Sequence, residues 1–300
     1  MPPLNASNGK SRVTVFPWYG GKYIHLNFIL PKLPRTKRYC EHYGGSMAVL
    51  LNKVPSELET YNDLNGDLVN FFRVLRSQGR DLQSLLELTP YSREEYAKAV
   101  DPPAGLGEVE RARRFYIRAR QSVGGLKEKP TVGNWKRSVT DSHSGVPGEV
   151  SSWLSGVSVL PEIVERILQV QIDNRPALET IEQYDSRETL HYLDPPYPHE
   201  SRSGGYSVYS HEMTNEDHER MARKCREVEG WVAISGYECP LYTKLFPPDQ
   251  WIKSLDEIKR APSARHGETP ERQEVLWTNY DPISFARNIP KNRKTFSLFD

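Results

Sequence analysis

Short apolar blocks alternate along the chain with amphipathic ones, and this alternation predicts its layers. Arg38–Ser46, Leu58–Asp63, Val170–Asp173, Leu190–Asp194 and Trp231–Ser235 read as strands. Helices are predicted between them. One spans Tyr23–Leu30 and another Met47–Asn52; a third carries Leu64, Leu68, Phe71, Phe72 and Leu75 at helical spacing. Pro161 opens a further helix carrying Ile163, Val164, Ile167 and Leu168, and Ala177–Tyr184 forms the next. Thr214 with Asp217 makes a capping box for a helix that runs to Glu229 and stops at Gly230. Trp251–Ile258 and Glu274–Thr278 read as late strands, consistent with a hairpin. The expected fold is α/β, a Rossmann-like sheet with helices on both faces.

The rhythm breaks at about residue 77. Residues 77–101 are polar with helical patches, and Pro102–Gly107 interrupts them. In the helix that follows, Ala112, Phe115, Tyr116 and Ala119 share one face while Arg111, Arg114 and Arg118 share another. Lys127, Lys129, Lys136 and Arg137 come next, and Glu128 is the only acid between Arg111 and Arg137. Such a run is either a solvated face or a set of phosphate contacts. Thr140–Ser152, rich in Ser and Gly, reads as a mobile loop. The expected organisation is therefore a catalytic domain in two parts, 1–76 and 159–300, with an inserted, mostly helical recognition region at 77–158.

The chemistry concentrates at Leu190-His191-Tyr192-Leu193-Asp194-Pro195-Pro196-Tyr197. The prolines lack N–H donors and fix φ, so the strand stops at Asp194 and leaves a carboxylate at its carboxyl end. Ligands of open α/β sheets bind at that edge. An Asp carboxylate and a prolyl carbonyl can both accept hydrogen bonds from an exocyclic amine of a nucleobase. They draw it towards a tetrahedral, more nucleophilic shape while a Tyr ring stacks on the base, and no nucleophilic Cys is needed. A second Asp-Pro-Pro, at Asp101-Pro102-Pro103, has no hydrophobic strand before it and no aromatic after it, and reads as plain loop.

Two glycine turns precede this stretch. In Trp18-Tyr19-Gly20-Gly21-Lys22 the glycines permit close backbone approach, Lys22 could meet a carboxylate and Trp18 could stack on a ring; a simple turn is the alternative. Glu41-His42-Tyr43-Gly44-Gly45-Ser46 ends the first strand without a G-x-G-x-x-G fingerprint. That speaks against a dinucleotide, whose pyrophosphate needs the glycine-rich helix start, and so against a nicotinamide oxidoreductase. S-adenosylmethionine (SAM) has no phosphate and fits the turn better. Asp63 ends the second strand, where it either binds a ribose or caps the next helix. The polar stretch His199–His211, with Gly204-Gly205 and Arg202, is either a lid with a phosphate contact or an exposed loop.

Composition changes this picture little. Three hundred residues, 37% hydrophobic and 26% charged, with net charge +1, suit a soluble globular protein. No secretory signal or membrane-length apolar run is seen, so a cytoplasmic protein of a bacterial or phage-infected cell is expected, with no membrane partner. Cys40, Cys225 and Cys239 lack metal spacing, as do His191, His199, His211, His218 and His266, and no metal is expected.

With these pieces in order the chain resembles the Dam-type adenine-specific DNA methyltransferases, particularly their phage and prophage branch. The matching segments are Trp18–Lys22, Glu41–Ser46, Tyr61–Asn65 and Asp194–Tyr197, with weaker similarity through Ile234–Tyr237 and Glu274–Trp277. The resemblance implies a SAM-dependent methyltransferase sheet, with S-adenosylhomocysteine as the product. Trp18, Lys22, Asp63 and Asp194 would contact SAM, with Gly20 and Gly21 in the first turn and Glu41, Gly44 and Gly45 on the methionine side. Asp194, Pro195, Pro196 and Tyr197 would hold a flipped adenine. Arg111, Arg114, Arg118, Lys127, Lys136, Arg137 and Arg202 would bind DNA, expected to be double-stranded. Where the family often has Glu-Pro-Phe and a further glycine, this chain has His42, Tyr43 and Met47; Met47 is expected to narrow the room for the cofactor. The same chemistry on cytosine or an RNA base, or a catalytically silent DNA-binding protein of this fold, are the alternatives. No nuclease motif is present, so any restriction partner would be another chain, and a monomer is favoured.

Overall fold

The computed structural model describes residues 12–125, 131–139, 141–201, 211–256 and 273–287. In chain order the elements are α1 (Leu26–Ile29), β1 (Arg38–Glu41), α2 (Ala48–Asn52), β2 (Leu58–Asn62), α3 (Gly66–Ser77), α4 (Gly79–Glu87), α5 (Arg93–Val100) and α6 (Glu108–Gln121). A short hairpin, β3 (Ser142–His143) and β4 (Val146–Pro147), precedes α7 (Gly148–Ser158) and α8 (Leu160–Ile167). Then come β5 (Val170–Asp173), α9 (Ala177–Tyr184), β6 (Thr189–Leu193), α10 (Asn215–Glu227), β7 (Trp231–Tyr237), α11 (Pro240–Leu245), β8 (Ile252–Leu255), β9 (Glu274–Thr278) and α12 (Pro282–Arg287).

Seven strands form one sheet in the order β5-β2-β1-β6-β7-β9-β8. The first five are mutually parallel, and β9 runs antiparallel to both β7 and β8. This is a Rossmann-like, doubly wound α/β sheet with an antiparallel edge. From β1 the chain moves outward through β2 to β5, then returns to add β6 and β7 on the other side. The order therefore reverses between β1 and β6, and a binding crevice opens beyond the carboxyl ends of strands at such a switch point. Glu41 ends β1 and Asp194 follows β6, so both acids stand at that crevice.

Strand pleating sorts the buried side chains into two layers. Leu193, Val232, Ile234, Val275 and Trp277 face one side with Met221 of α10 and Tyr242 of α11. Tyr192, Ala233 and Leu276 face the other, with Tyr39, Leu50 and Phe71. On that second side α6 lies on α3, and Phe71 stacks on Tyr116 with ring centroids 5.6 Å apart. Phe115 and Tyr116, from within 77–158, share one continuous core with Phe16 and Phe72 of the segment 1–76.

Several local expectations need correction. In place of a single helix over Tyr23–Leu30 stand 3-10 turns at Lys22–His25 and Leu30–Lys32 around the one-turn α1; Pro31 supplies no amide to extend it. Of Thr140–Ser152, the described part is a hairpin followed by the first turn of α7. Ser138 Oγ accepts the Glu149 amide at 3.0 Å, and Trp153 and Val157 anchor the helix in the core. Asn65, not Asp63, caps α3, its side chain accepting the Asp67 and Leu68 amides. Helices α11 and α12 were not anticipated. The capping box of Thr214 and Asp217 is present as expected.

A buried ion triad ties this frame together. Glu59 of β2 lies 2.6 Å from Lys53 Nζ and 2.6 Å from Arg166 Nη1 of α8, and all three side chains are buried. Burial alone would push the Glu59 carboxyl up, but its two cations more than reverse this and hold it below its ordinary value. Glu59→Gln strands both cations, so unfolding in urea followed by circular dichroism should show a loss of roughly 3–5 kcal/mol. Because the folded carboxyl titrates below the unfolded one, this contribution is complete above the ordinary carboxylate range. It is lost as pH falls through the depressed folded value.

Candidate active site

The crevice at the switch point is a cavity of about 290 Å³. Its floor is the turn after β1. Gly44 donates its amide to Asn62 O at 3.0 Å, and Gly45 donates to Asp63 Oδ2 at 2.9 Å while its carbonyl accepts Tyr61 Oη at 2.7 Å. A β-carbon on Gly44 would stand 2.1 Å from the Tyr61 ring, and one on Gly45, whose φ is +49°, would stand 2.8 Å from the Trp18 indole nitrogen. Both positions need glycine because the turn is sandwiched between two aromatic rings. Asp63 also accepts the Asn65 amide at 2.8 Å, so its carboxylate is fixed between two N–H donors. Burial nonetheless raises it, against these hydrogen bonds.

Lys22 stands at the other end. Its Nζ lies 2.6 Å from Asp194 Oδ1 and 3.6 Å from Glu274 Oε1, donates to Gly20 O at 2.8 Å, and sits 4.8 Å above the centre of the Tyr197 ring. The turn at Gly20–Gly21 thus exists to deliver a buried ammonium to the acid that ends β6. Burial raises the Asp194 carboxyl, with Lys22 and Tyr197 opposing. Glu41 accepts Tyr39 Oη at 2.7 Å, and burial pushes it up to about 8, with the nearby Asp194 adding to the rise.

Trp18, Gly20, Gly21, Lys22, Glu41, Gly44, Gly45, Asp63 and Asp194, separated by up to 176 positions in sequence, all line this one cavity. Pro196 lines it too; Pro195 and Tyr197 do not, and both are buried behind its wall. The Tyr197 hydroxyl donates to Glu274 Oε1 at 2.9 Å, and its ring meets Tyr237 edge-on at 4.6 Å. Met47 is displaced from the place expected of it. It adopts a left-handed conformation, φ 61°, ahead of α2, and buries its side chain in the core rather than in the cavity wall. His42 does line the cavity, and its Nε2 lies 2.9 Å from His191 Nδ1. His191 reaches Asp185 at 3.2 Å and His42 reaches Thr180 at 2.8 Å. Desolvation keeps both imidazoles lowered, so this is a neutral hydrogen-bonded chain.

The basic residues lie elsewhere. Arg111 and Arg118 pair with Asp67 at 2.8 and 3.1 Å, and Arg114 pairs with Glu110 at 2.7 Å. The three arginines line a second cavity, of about 370 Å³. Lys136 reaches Glu149 at 2.8 Å, and Arg137 is exposed. Lys127 and Arg202, together with most of the His199–His211 stretch, lie outside the described residues. Among the described residues no cluster of three or more His, Cys, Asp or Glu could hold a metal ion, and no helix is long and apolar enough to cross a membrane. Sequence reasoning missed Glu274, His25 and Asp256. The one available signal was an acid opening the otherwise apolar Glu274–Thr278 strand.

Comparisons with known proteins point to one family. The sequence model of the D12 class of N6 adenine-specific DNA methyltransferases matches residues 18–253. The chain is 30% identical over 127 residues to the DNA N-6-adenine-methyltransferase of Escherichia phage P1, an alignment covering 41% of this chain and 17% of the phage protein. It is 24% identical over 296 residues to the Type II methyltransferase M1.LlaDCHI of Lactococcus lactis subsp. cremoris, covering 90% and 98% of the two.

The aromatic sandwich gives a direct test. Gly44→Ala should destabilise the fold by about 2 kcal/mol, because the buried Tyr61 ring has no room to yield. Thermal unfolding of the purified variant measures this, and an unchanged melting temperature would contradict the close approach.

Proposed function

The chain belongs to the D12 class of N6 adenine-specific DNA methyltransferases, and from that membership we propose that it moves a methyl group from SAM directly to the exocyclic amine of an adenine in DNA. One observation carries this reading. The Asp194 carboxylate at the end of β6, held by Lys22, opens onto the same cavity as the Gly44–Gly45 turn and Asp63.

The cavity's chemistry suits SAM. Glu41, Asp63 and Asp194 are three carboxylates with raised affinity for protons on one wall system. The arginines that also line it, Arg175 and Arg220, are engaged by Asp173 and Asp217. Burial makes further negative charge costly on this wall, so a ligand with an ammonium and a sulfonium suits it, whereas a pyrophosphate does not. Asp63, its carboxylate oriented by the Gly45 and Asn65 amides, is placed to accept ribose hydroxyls. Trp18, over the Gly45 turn, offers a flat apolar surface. Gly20, Gly21, Glu41, Gly44 and Gly45 complete the binding wall.

When bound, SAM supplies a methyl group on a positively charged sulfur. The chain's own residues hold the acceptor. Asp194 and the Pro195 carbonyl accept hydrogen bonds from the target amine and aim its nitrogen lone pair, while Pro196 stiffens the turn. Tyr197 is the stacking platform for the base; in the conformation described it is engaged by Glu274, so stacking requires the ring to turn outward. The target must leave the duplex to reach this depth, at a cost of a few kcal/mol in stacking and pairing. Positioning supplies much of the acceleration. The proton shed by the amine leaves after the N–C bond forms.

The region 77–158 is proposed as the target-recognition region. Arg111, Arg114 and Arg118, paired with partly exposed acids, and Lys136 and Arg137 are its candidate phosphate contacts, joined by Lys127 and Arg202. Base readout would come from side chains placed by this scaffold.

Two results are expected. Incubation with unmethylated DNA and methyl-labelled SAM, followed by digestion, should place the label in methyladenine. Asp194→Ala should abolish it while leaving DNA affinity within about threefold, and substantial residual methylation by this variant would refute the assignment. Arg137→Ala should weaken DNA binding similarly across sequences and flatten the slope of log affinity against log salt by about 1.

A further inference from the structure

Lys22 is shared. Its ammonium is 2.6 Å from Asp194 and 3.6 Å from Glu274, and Lys22 and Glu274 are both buried. Glu274 opens β9, whose register sets it opposite Tyr237 of β7, so a distant antiparallel strand brings a second carboxylate under the Asp-Pro-Pro-Tyr turn. Titratable groups face it from several elements. His25 Nε2 lies 3.8 Å from Glu274 Oε2 while its Nδ1 lies 2.7 Å from Asp256, and Tyr197 donates to Glu274 Oε1 at 2.9 Å. Asp194 and Tyr192 lie close enough to interact through their charge.

This sharing matters for the transfer proposed above, on which the inference rests. As the sulfur–methyl bond breaks and the nitrogen–methyl bond forms, the sulfur keeps the bonding electron pair, and the positive charge passes to the amine nitrogen until that nitrogen loses a proton to water. The site must therefore offer net negative charge next to the amine. Asp194 alone cannot, because a lysine at 2.6 Å neutralises it.

We propose that Glu274 is the positioning residue that supplies this charge. By taking a share of the Lys22 ammonium, it leaves the Asp194–Lys22–Glu274 triad with one net negative charge facing the amine. Protonating Glu274 returns the triad to neutrality and slows the transfer. Burial pushes the Glu274 carboxyl up to about 7, with Lys22 opposing and Asp194 adding to the rise, so this loss falls near neutral pH.

The test uses the full chain with unmethylated DNA and SAM in single-turnover experiments across pH. The wild-type transfer rate should rise with pH through an inflection near 7. Glu274→Gln should be roughly 10- to 100-fold slower above that inflection and should lack it. Glu274→Asp, which keeps the charge, should retain it. Melting temperature and SAM affinity of Glu274→Gln should match the wild type, which separates the effect from misfolding. A second readout needs no turnover. Carbon-13 labelling of glutamate carboxyls, with the Glu274 signal identified by its loss in Glu274→Gln, should show that carboxyl titrating near 7; Glu41, pushed up to about 8, is the other raised signal among the described residues and should persist in the variant. A Glu274 carboxyl titrating in the ordinary range, or a Glu274→Gln rate profile with the wild-type shape, overturns the inference while leaving the methyltransferase reading intact. A wild-type protein that labels no adenine overturns both.

Discussion

The ion pair between Lys22 and Asp194 is the constraint on which the site depends. It joins a segment near the start of the chain to the end of the central strand β6, across more than half the sequence. Buried pairs of this kind rarely repay their desolvation, and apolar replacements are often as stable. Its placement is therefore hard to explain by stability alone. It sits where the strand order reverses, beside the turn at which two prolines end a buried strand, and it fixes the carboxylate that the cavity presents. Glu274, Tyr197 and, through Glu274, His25 are arranged around it. Removing the ammonium would leave two facing carboxylates buried together.

The cavity itself follows from the same economy of charge. Glu41, Asp63 and Asp194 come from the ends of three parallel strands, and burial raises all three. The backbone contributes amides to Asp63 but no glycine-rich helix start, and α2 begins only after Met47 has turned through a left-handed conformation. Among the described residues the wall is rich in acceptors, a chemistry that suits cationic or hydroxyl-bearing ligands better than phosphates. The fold contributes the place, and these residues contribute the preference.

Much of this was legible in the sequence because parallel strands in a doubly wound sheet are buried on both faces. Their apolar runs end abruptly in glycine, proline or acid, so β1, β2, β5 and β6 and the residues at their tips could be read locally. Lys22 was readable as a cation behind two glycines, and Asp194 as an acid before two prolines. What escaped was whatever depended on pairing between distant segments. Glu274 looks like any polar residue at a strand start until β9 inserts beside β7. His25 and Asp256 meet across 231 positions. Asp63 read equally as a cap or a ribose ligand, because the local pattern allowed both; Asn65 takes the cap, and Asp63 accepts the Gly45 amide. Met47 was misjudged for a related reason. Its neighbours in sequence line the cavity, but the left-handed turn sends its side chain inward.

The chain also carries its own control for the motif. Asp101-Pro102-Pro103 and Asp194-Pro195-Pro196 share a tripeptide, yet the first follows helix α5 and all three of its residues are exposed. Water solvates Asp101, although Pro102 and Pro103 line the second cavity with the three arginines. The second follows five consecutive buried residues, meets a buried lysine and opens on a cavity. The two prolines act alike in both places, ending regular structure by withholding amides. Only where the preceding strand is buried between two others does that termination leave an acid desolvated at a crevice, with its charge partly compensated and its direction fixed. The chemistry therefore belongs to the strand, the lysine and the second carboxylate as much as to the motif, and the tripeptide without them is a turn.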